Sequence, residues 1–461
     1  MGLDMIEGHR RGKRFIEWNR QVCEKEALVN IRIYHAWILT MREGEEKPIS
    51  GEIWVEDGIL TCVGQVSSGK KMPKWDRQID AKYNLVMPGF KNAHTHSAMT
   101  FLRSYADDLP LDQWLKNQVF PMEAKLTQED AYHLCKLAIM EYLSSGITAN
   151  FDMYFYPDDC LQASVDCGFR TVRCGEINGT EQVLEEKLQY LEDTYSKWNK
   201  KSPLISAQLG FHAEYTTCQV IMEGVSKLSR KYHAPVYMHN SETEKEVKEC
   251  WKRHGMSPTQ LMETMGMFEY GGGGFHCVWL DEKDREIFRK RNLYVIACPG
   301  SNMKLASGIA PLSEYGDMGI PMALGTDGPA SNNCLDMFRE MFLATGLQKI
   351  RTRDAAAMDA NKIIQMATVG GAKAMGLTQS DCLAKGKWAD LIMVDLFTPN
   401  MQPRNHIVKN IVYSGSKSNI RMTMVAGKIL YENGEYFIGE DPTTVYENAN
   451  KIIQRMKGAV S

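Results

Sequence analysis

Eight short apolar runs, each ending near a polar or ionisable residue and mostly separated by helix-patterned sequence, constrain this chain more than any other feature. They are LVMPGFKNAH (85–94), ITANFD (147–152), RTVRC (170–174), LISAQLGFH (204–212), PVYMH (235–239), GFHCV (274–278), LYVIACP (293–299) and MALGTD (322–327). Apolar runs of this kind suit strands buried on both faces, and intervening helices make such strands parallel. One helix is expected from Leu126 to Ser145, opened by Thr127 with an acid, Asp130, three residues on. His94 and Asp327 lie 233 positions apart, close to the span of a (β/α)₈ barrel. The expected fold class is therefore α/β, a TIM-type barrel.

The flanks alternate instead. Residues 27–65 and 388–437 read as hairpin strands, with VEDG and YENG as two of the turns. A small β-sandwich domain assembled from both chain ends, with the barrel inserted, is the expected arrangement. The division is an N-terminal extension (1–26), the β-domain (27–84 and 381–442), the barrel (85–380) and a C-terminal helix (443–461). The extension carries Arg10, Arg11, Lys13 and Arg14, reads as a solvated tail, and lacks the apolar stretch of a secretory signal.

Charge and composition exclude several function classes. With 54 Lys+Arg against 57 Asp+Glu, the net charge of -3 offers no cation excess for nucleic acid. No stretch of 18 apolar residues is present for a membrane span. Twelve cysteines without a CxxC pair, several inside apolar runs, fit a reduced cytoplasmic protein.

Five of the eleven histidines, His94, His96, His212, His239 and His276, fall at or beside the expected C-terminal ends of barrel strands, as does Asp327. Barrel enzymes build their sites at that end. His94 and His96 are two residues apart, so both imidazoles can face one point from an extended backbone. Imidazoles with one carboxylate suit zinc, with ferrous iron as the alternative. Glu242 lies three residues beyond His239, where it can serve as general acid/base without being a ligand; a helix-capping role is the competing reading.

These motifs resemble the amidohydrolase superfamily, and within it the methylthioadenosine/S-adenosylhomocysteine deaminase group, which borders the chlorohydrolase-like enzymes. The resemblance rests on MPGFKNAHTHSAMTFLRSYADDLPLDQWL (87–115), FPMEAKLT (120–127), ITANFDMYF (147–155), MHNSET (238–243), FHCVWL (275–280), SNMKLASGIAPL (301–312) and GTDGPASNN (325–333). KGKWADLIMVD (385–395) and MVAGKILYENGEY (424–436) resemble the flanking β-domain. The resemblance implies one divalent metal held by His94, His96, His239 and Asp327. It implies that Glu242 shuttles protons, that His276 and Asp327 act at the reacting centre, and that Glu123, His212 and Trp114 line the substrate site with Glu242 and Asp327. The implied reaction is hydrolytic deamination of an adenine-type nucleoside, with guanine, pterin, cytosine or triazine rings as the alternative. The partners expected are this small molecule and further copies of the chain, with no nucleic acid and no membrane. All five metal-proximal positions are filled, which argues against a non-catalytic assembly protein.

Three local features refine the expectation. No lysine lies between Leu204 and His212, where binuclear relatives carry a carbamylated one, so a mononuclear site is expected. The stretch from Cys174 to Ser229 has no arginine to clamp a substrate carboxylate, and Glu214, where the family usually has proline, is expected to add negative charge near the pocket. The Gly271–Gly274 run is expected to let backbones approach closely before the sixth strand.

Overall fold

The computed structural model describes residues 29–458 apart from Ser68, Lys70, Lys71 and Pro110. The 1–26 extension and its basic cluster lie outside the described residues.

Eight parallel strands form one sheet in strict chain order: Phe90–Thr95, Ile147–Asp152, Arg170–Cys174, Ile205–Ala213, Val236–Asn240, Gly272–His276, Tyr294–Ala297 and Met322–Leu324. The first and eighth come together where the site lies. Asp327 N donates to the His94 carbonyl at 3.0 Å, and the Asn92 and Thr326 side chains bridge the same seam. Gly325 is required there, because a Cβ would come within 2.8 Å of His94 atoms. The expected close approach around the Gly271–Gly274 run is also found. A Cβ on Gly272 would sit 2.0 Å from the Val236 carbonyl oxygen, and one on Gly273 2.3 Å from that of Tyr294.

The barrel interior is filled by Ala93, Ala149, Phe151, Val172, Tyr237, Phe275 and Ile296. Burying each of the larger side chains contributes about 1.5–3 kcal/mol. Phe275 stacks on the His94 ring with centroids 3.8 Å apart, so the core floor also orients the site. Thr127 and Asp130 form the expected capping box at the start of the helix Gln128–Ser144, and Arg455 of the last helix, Pro442–Met456, bonds back to Asp130.

A separate nine-stranded sheet is built from both chain ends. Its two halves meet where Leu85–Pro88 pairs antiparallel with Leu391–Val394. The VEDG and YENG turns carry Asp57-Gly58 and Asn433-Gly434, all four with positive φ, as a type I′ hairpin turn requires. The single run LVMPGFKNAH is thus two strands in two different sheets. Gly89 is the joint: its N–H donates to the Asp390 carbonyl, and a Cβ would strike the Thr148 side chain at 2.1 Å. Below the barrel, Arg170 forks onto buried Asp390 at 2.6 and 3.1 Å and lies over the Trp388 ring, tying the third barrel strand to the end sheet.

Candidate active site

Each chemistry-bearing side chain sits at a strand end because its strand stops there. His94 lies in the first strand and His96 just past it; His239 and His276 lie at the ends of the fifth and sixth; Asp327 follows the eighth. Ser241, His276, Cys277 and Asp327 adopt positive φ, a conformation that costs about 1–3 kcal/mol per non-glycine residue and clusters where function needs it.

One ligand atom each from His94, His239, His276 and Asp327 lies within 4.8 Å of all the others, and all four residues are buried. His96 stands against this quartet, its Nε2 3.2 Å from Asp327 Oδ1, with His94 Nε2 3.5 Å from the same oxygen. Both ring nitrogens of His94 are buried without a hydrogen-bond partner, which costs free energy unless something binds there. The other three imidazoles are held at Nδ1, His96 by the Met153 carbonyl, His239 by the His212 carbonyl at 2.9 Å and His276 by Asn302 Oδ1 at 2.7 Å. Each Nδ1–H is thereby committed, and each Nε2 lone pair is left to a ligand.

Asp327 accepts from Ser301 and Ser331 at Oδ2, both at 2.6 Å, and from Gly328 N at Oδ1 at 2.7 Å. Burial pushes its carboxyl up, but the imidazoles of His94 and His96 outweigh burial and hold it well below the usual carboxylate range. Burial pushes His94 down to about 3 and His239 well below its usual value, whereas burial of His96 is outweighed by Asp327, which pushes it up to about 9; neutral imidazole is the form that binds metal, so a cation there displaces the His96 proton. An orphaned imidazole, three lone pairs oriented by outer partners and one ionised carboxylate fit a divalent cation.

Glu242 is buried beside this group. Its Oε1 accepts from Ser307 at 3.0 Å and its Oε2 lies 3.8 Å from His276 Nε2. The next helix, Glu244–His254, is capped by Thr243 with Glu246, so Glu242 is not its cap. On the other side, Tyr154 donates to Glu123 Oε1 at 2.7 Å and its ring lies edge-on to His96. Burial raises the Glu123 carboxyl. His212 is pushed down to about 4, chiefly by burial, and its Nδ1 pairs with Thr216. Trp114 is buried in a neighbouring apolar cluster with Phe101, Leu102, Val119 and Met122.

Glu214 is a correction. It does not charge the pocket: it is buried and held by Arg253 at 2.5 Å and His254 at 3.1 Å. The carboxylate pins the last turn of the helix Glu244–His254, and its charge is neutralised there. Sequence reasoning missed Asn302, Ser301, Ser331 and Tyr154. All four lie inside runs already singled out for the resemblance, and Ser301, Asn302 and Tyr154 follow barrel strands closely.

A parallel barrel with imidazoles, one carboxylate and a nearby acid–base group at its strand ends belongs to the class of metal-dependent hydrolases. The chain belongs to the amidohydrolase family, whose model matches residues 85–430. It is 34% identical over 434 residues to the 5-methylthioadenosine/S-adenosylhomocysteine deaminase of Thermoanaerobacter pseudethanolicus, covering 93% of this chain and 100% of that one. It is 36% identical over 404 residues to the 5′-deoxyadenosine deaminase of Methanopyrus kandleri, covering 87% and 94%. Its fold is similar to the zinc-bound crystal structure of an adenosine deaminase from Xanthomonas campestris, with a TM-score of 0.88, 30% identity, and 93% and 99% coverage.

Proposed function

We propose that this protein is a metal-dependent hydrolytic deaminase of adenine nucleosides, converting them to the inosine analogue and ammonia. The observation that carries the reading is the buried quartet around His94, whose two ring nitrogens have no partner, with Glu242 poised beside His276. Relatives named for deamination of methylthioadenosine, S-adenosylhomocysteine and 5′-deoxyadenosine support the substrate class. Eleven described cysteines, all free thiols, support a reducing, cytoplasmic setting.

In this reading His94, His96, His239 and Asp327 would hold one ion, most simply zinc, which would supply Lewis acidity and bring the pKa of a water toward neutrality. Glu242 accepts one proton from the attacking water and delivers it to the ring nitrogen beside the amine-bearing carbon as the water oxygen bonds to that carbon. Glu242 then takes the second proton from that oxygen and passes it to the amine, the C–N bond breaks, and ammonia leaves as the carbonyl forms. His276, fixed by Asn302, and Asp327, fixed by Ser301 and Ser331, orient the oxygen carried by the tetrahedral carbon. Glu123 accepts from the two vicinal ribose hydroxyls, while His212 and Trp114 line the base.

The test is a substrate panel on metal-loaded protein, read by ammonia release and the ultraviolet change of adenine to hypoxanthine. Turnover of adenosine, 5′-deoxyadenosine or methylthioadenosine is expected. Turnover confined to guanine, cytosine, pterin or triazine substrates overturns the assignment.

A further inference from the structure

Just beyond the third barrel strand lies a carboxylate with no use in the scheme above. Gly175 N donates to the Gln208 carbonyl and the Ile177 carbonyl accepts from His212 N, both at 3.0 Å. These two bonds anchor Glu176 on the same barrel end as His212, against the fourth strand. Its Oε2 is fully buried and has no hydrogen-bond partner among the described residues. Arg173, Glu123, His96 and Lys187 are among the charged groups within its electrostatic reach, and Tyr154, which donates to Glu123, feels Glu176 in turn. Burial, reinforced by Glu123 and opposed by Arg173, pushes its carboxyl up to about 7.

A buried acceptor left unpaired in the ligand-free protein costs free energy that a bound donor recovers. With the reacting ring at the imidazole cluster, the sugar extends toward Glu123. One carboxylate, Glu123, satisfies the vicinal hydroxyls, and the donor left on a ribose is at the 5′ carbon. We propose that Glu176 is a specificity-determining residue that accepts a hydrogen bond from the 5′-hydroxyl of a nucleoside substrate and disfavours anionic 5′-substituents. This inference rests on the deaminase reading. Arg253 is engaged by Glu214, and Arg173, whose Nη1 has no hydrogen-bond partner among the described residues, has its charge shared by buried Asp152 at 3.5 Å and by Glu176.

The experiment compares adenosine, 5′-deoxyadenosine and S-adenosylhomocysteine on wild type, Glu176→Leu and Glu176→Gln, with nucleoside binding to the metal-free protein as a second readout. Wild type is expected to favour adenosine over 5′-deoxyadenosine in kcat/KM by about 10- to 100-fold, the worth of one hydrogen bond to a charged acceptor. Glu176→Leu should abolish that preference while changing 5′-deoxyadenosine turnover by only a few-fold, and the binding ratio should follow. Glu176→Gln keeps the size and removes the charge, and should raise kcat/KM for S-adenosylhomocysteine several-fold. Equal use of the two nucleosides by wild type overturns the inference. So does a uniform loss on all substrates in both variants, which is what a purely structural, water-bridged Glu176–Arg173 pair gives. No turnover by wild type of these three or of methylthioadenosine refutes instead the deaminase reading beneath it.

Discussion

Replacing Glu242 by Gln separates the proton shuttle from the ligand set. Glu242 Oε1 receives one hydrogen bond, from Ser307 at 3.0 Å, and the other oxygen stands 3.8 Å from His276 Nε2. A glutamine of the same size keeps an acceptor for Ser307, so the fold and the cluster within 4.8 Å should be undisturbed. What it loses is the ability to take and return a proton. General acid–base catalysis contributes about 10²- to 10⁴-fold, which at about 1.36 kcal/mol per decade is roughly 3–5 kcal/mol of barrier. The expected result is kcat reduced by at least about 100-fold, KM within a few-fold, and metal content unchanged. Metal analysis of the purified variant with steady-state kinetics checks all three. Loss of metal would make Glu242 a ligand, and kcat within tenfold of wild type would remove it from proton transfer; either refutes the role.

His96→Ala and His276→Ala distinguish two candidate fourth ligands, because the quartet holds His276 while His96 stands 3.2 Å from Asp327; His96→Ala should release the metal and His276→Ala should keep it but lose turnover, and metal analysis showing the reverse exchanges their roles. Arg170→Ala leaves Asp390 buried without its guanidinium partner, keeping only the Ala426 N–H as a hydrogen-bond donor among the described residues, and should cost about 3–5 kcal/mol in denaturant unfolding; a cost under about 1 kcal/mol would show that the Arg170–Asp390 fork does not tie the barrel to the end sheet. Methylthioadenosine should exceed S-adenosylhomocysteine in kcat/KM by about 10- to 10³-fold, since the 174–229 stretch carries no arginine and one or two charge-assisted partners worth about 1.5–3 kcal/mol each are missing; equal values would reveal a cation that receives the carboxylate.

The barrel was legible because most strands announce themselves twice, by a mainly apolar run and by a polar or ionisable residue near its end. The hairpins were legible at Asp57-Gly58 and Asn433-Gly434, where turn geometry dictates residue type. The division of LVMPGFKNAH between two sheets was not, because an apolar run has the same pattern whichever sheet receives it; only Gly89, packed on Thr148, marks the joint. Glu214 misled for a related reason. Its partners Arg253 and His254 lie about forty positions away, and a charge beside a functional motif looks the same on paper whether it faces a substrate or a guanidinium. Asn302, which orients His276, was quoted for the resemblance but given no role, since hydrogen bonds between strand ends depend on barrel closure.

Titration of the metal-free protein with zinc, with adenosine conversion followed by ultraviolet absorbance, joins metal content to deamination in one measurement. The rate should be negligible without metal, rise in proportion to added zinc, and level off near one equivalent per chain with inosine and ammonia formed in equal amounts. Full activity in the metal-free protein, or zinc saturation at one equivalent with no inosine formed, would contradict metal-dependent deamination.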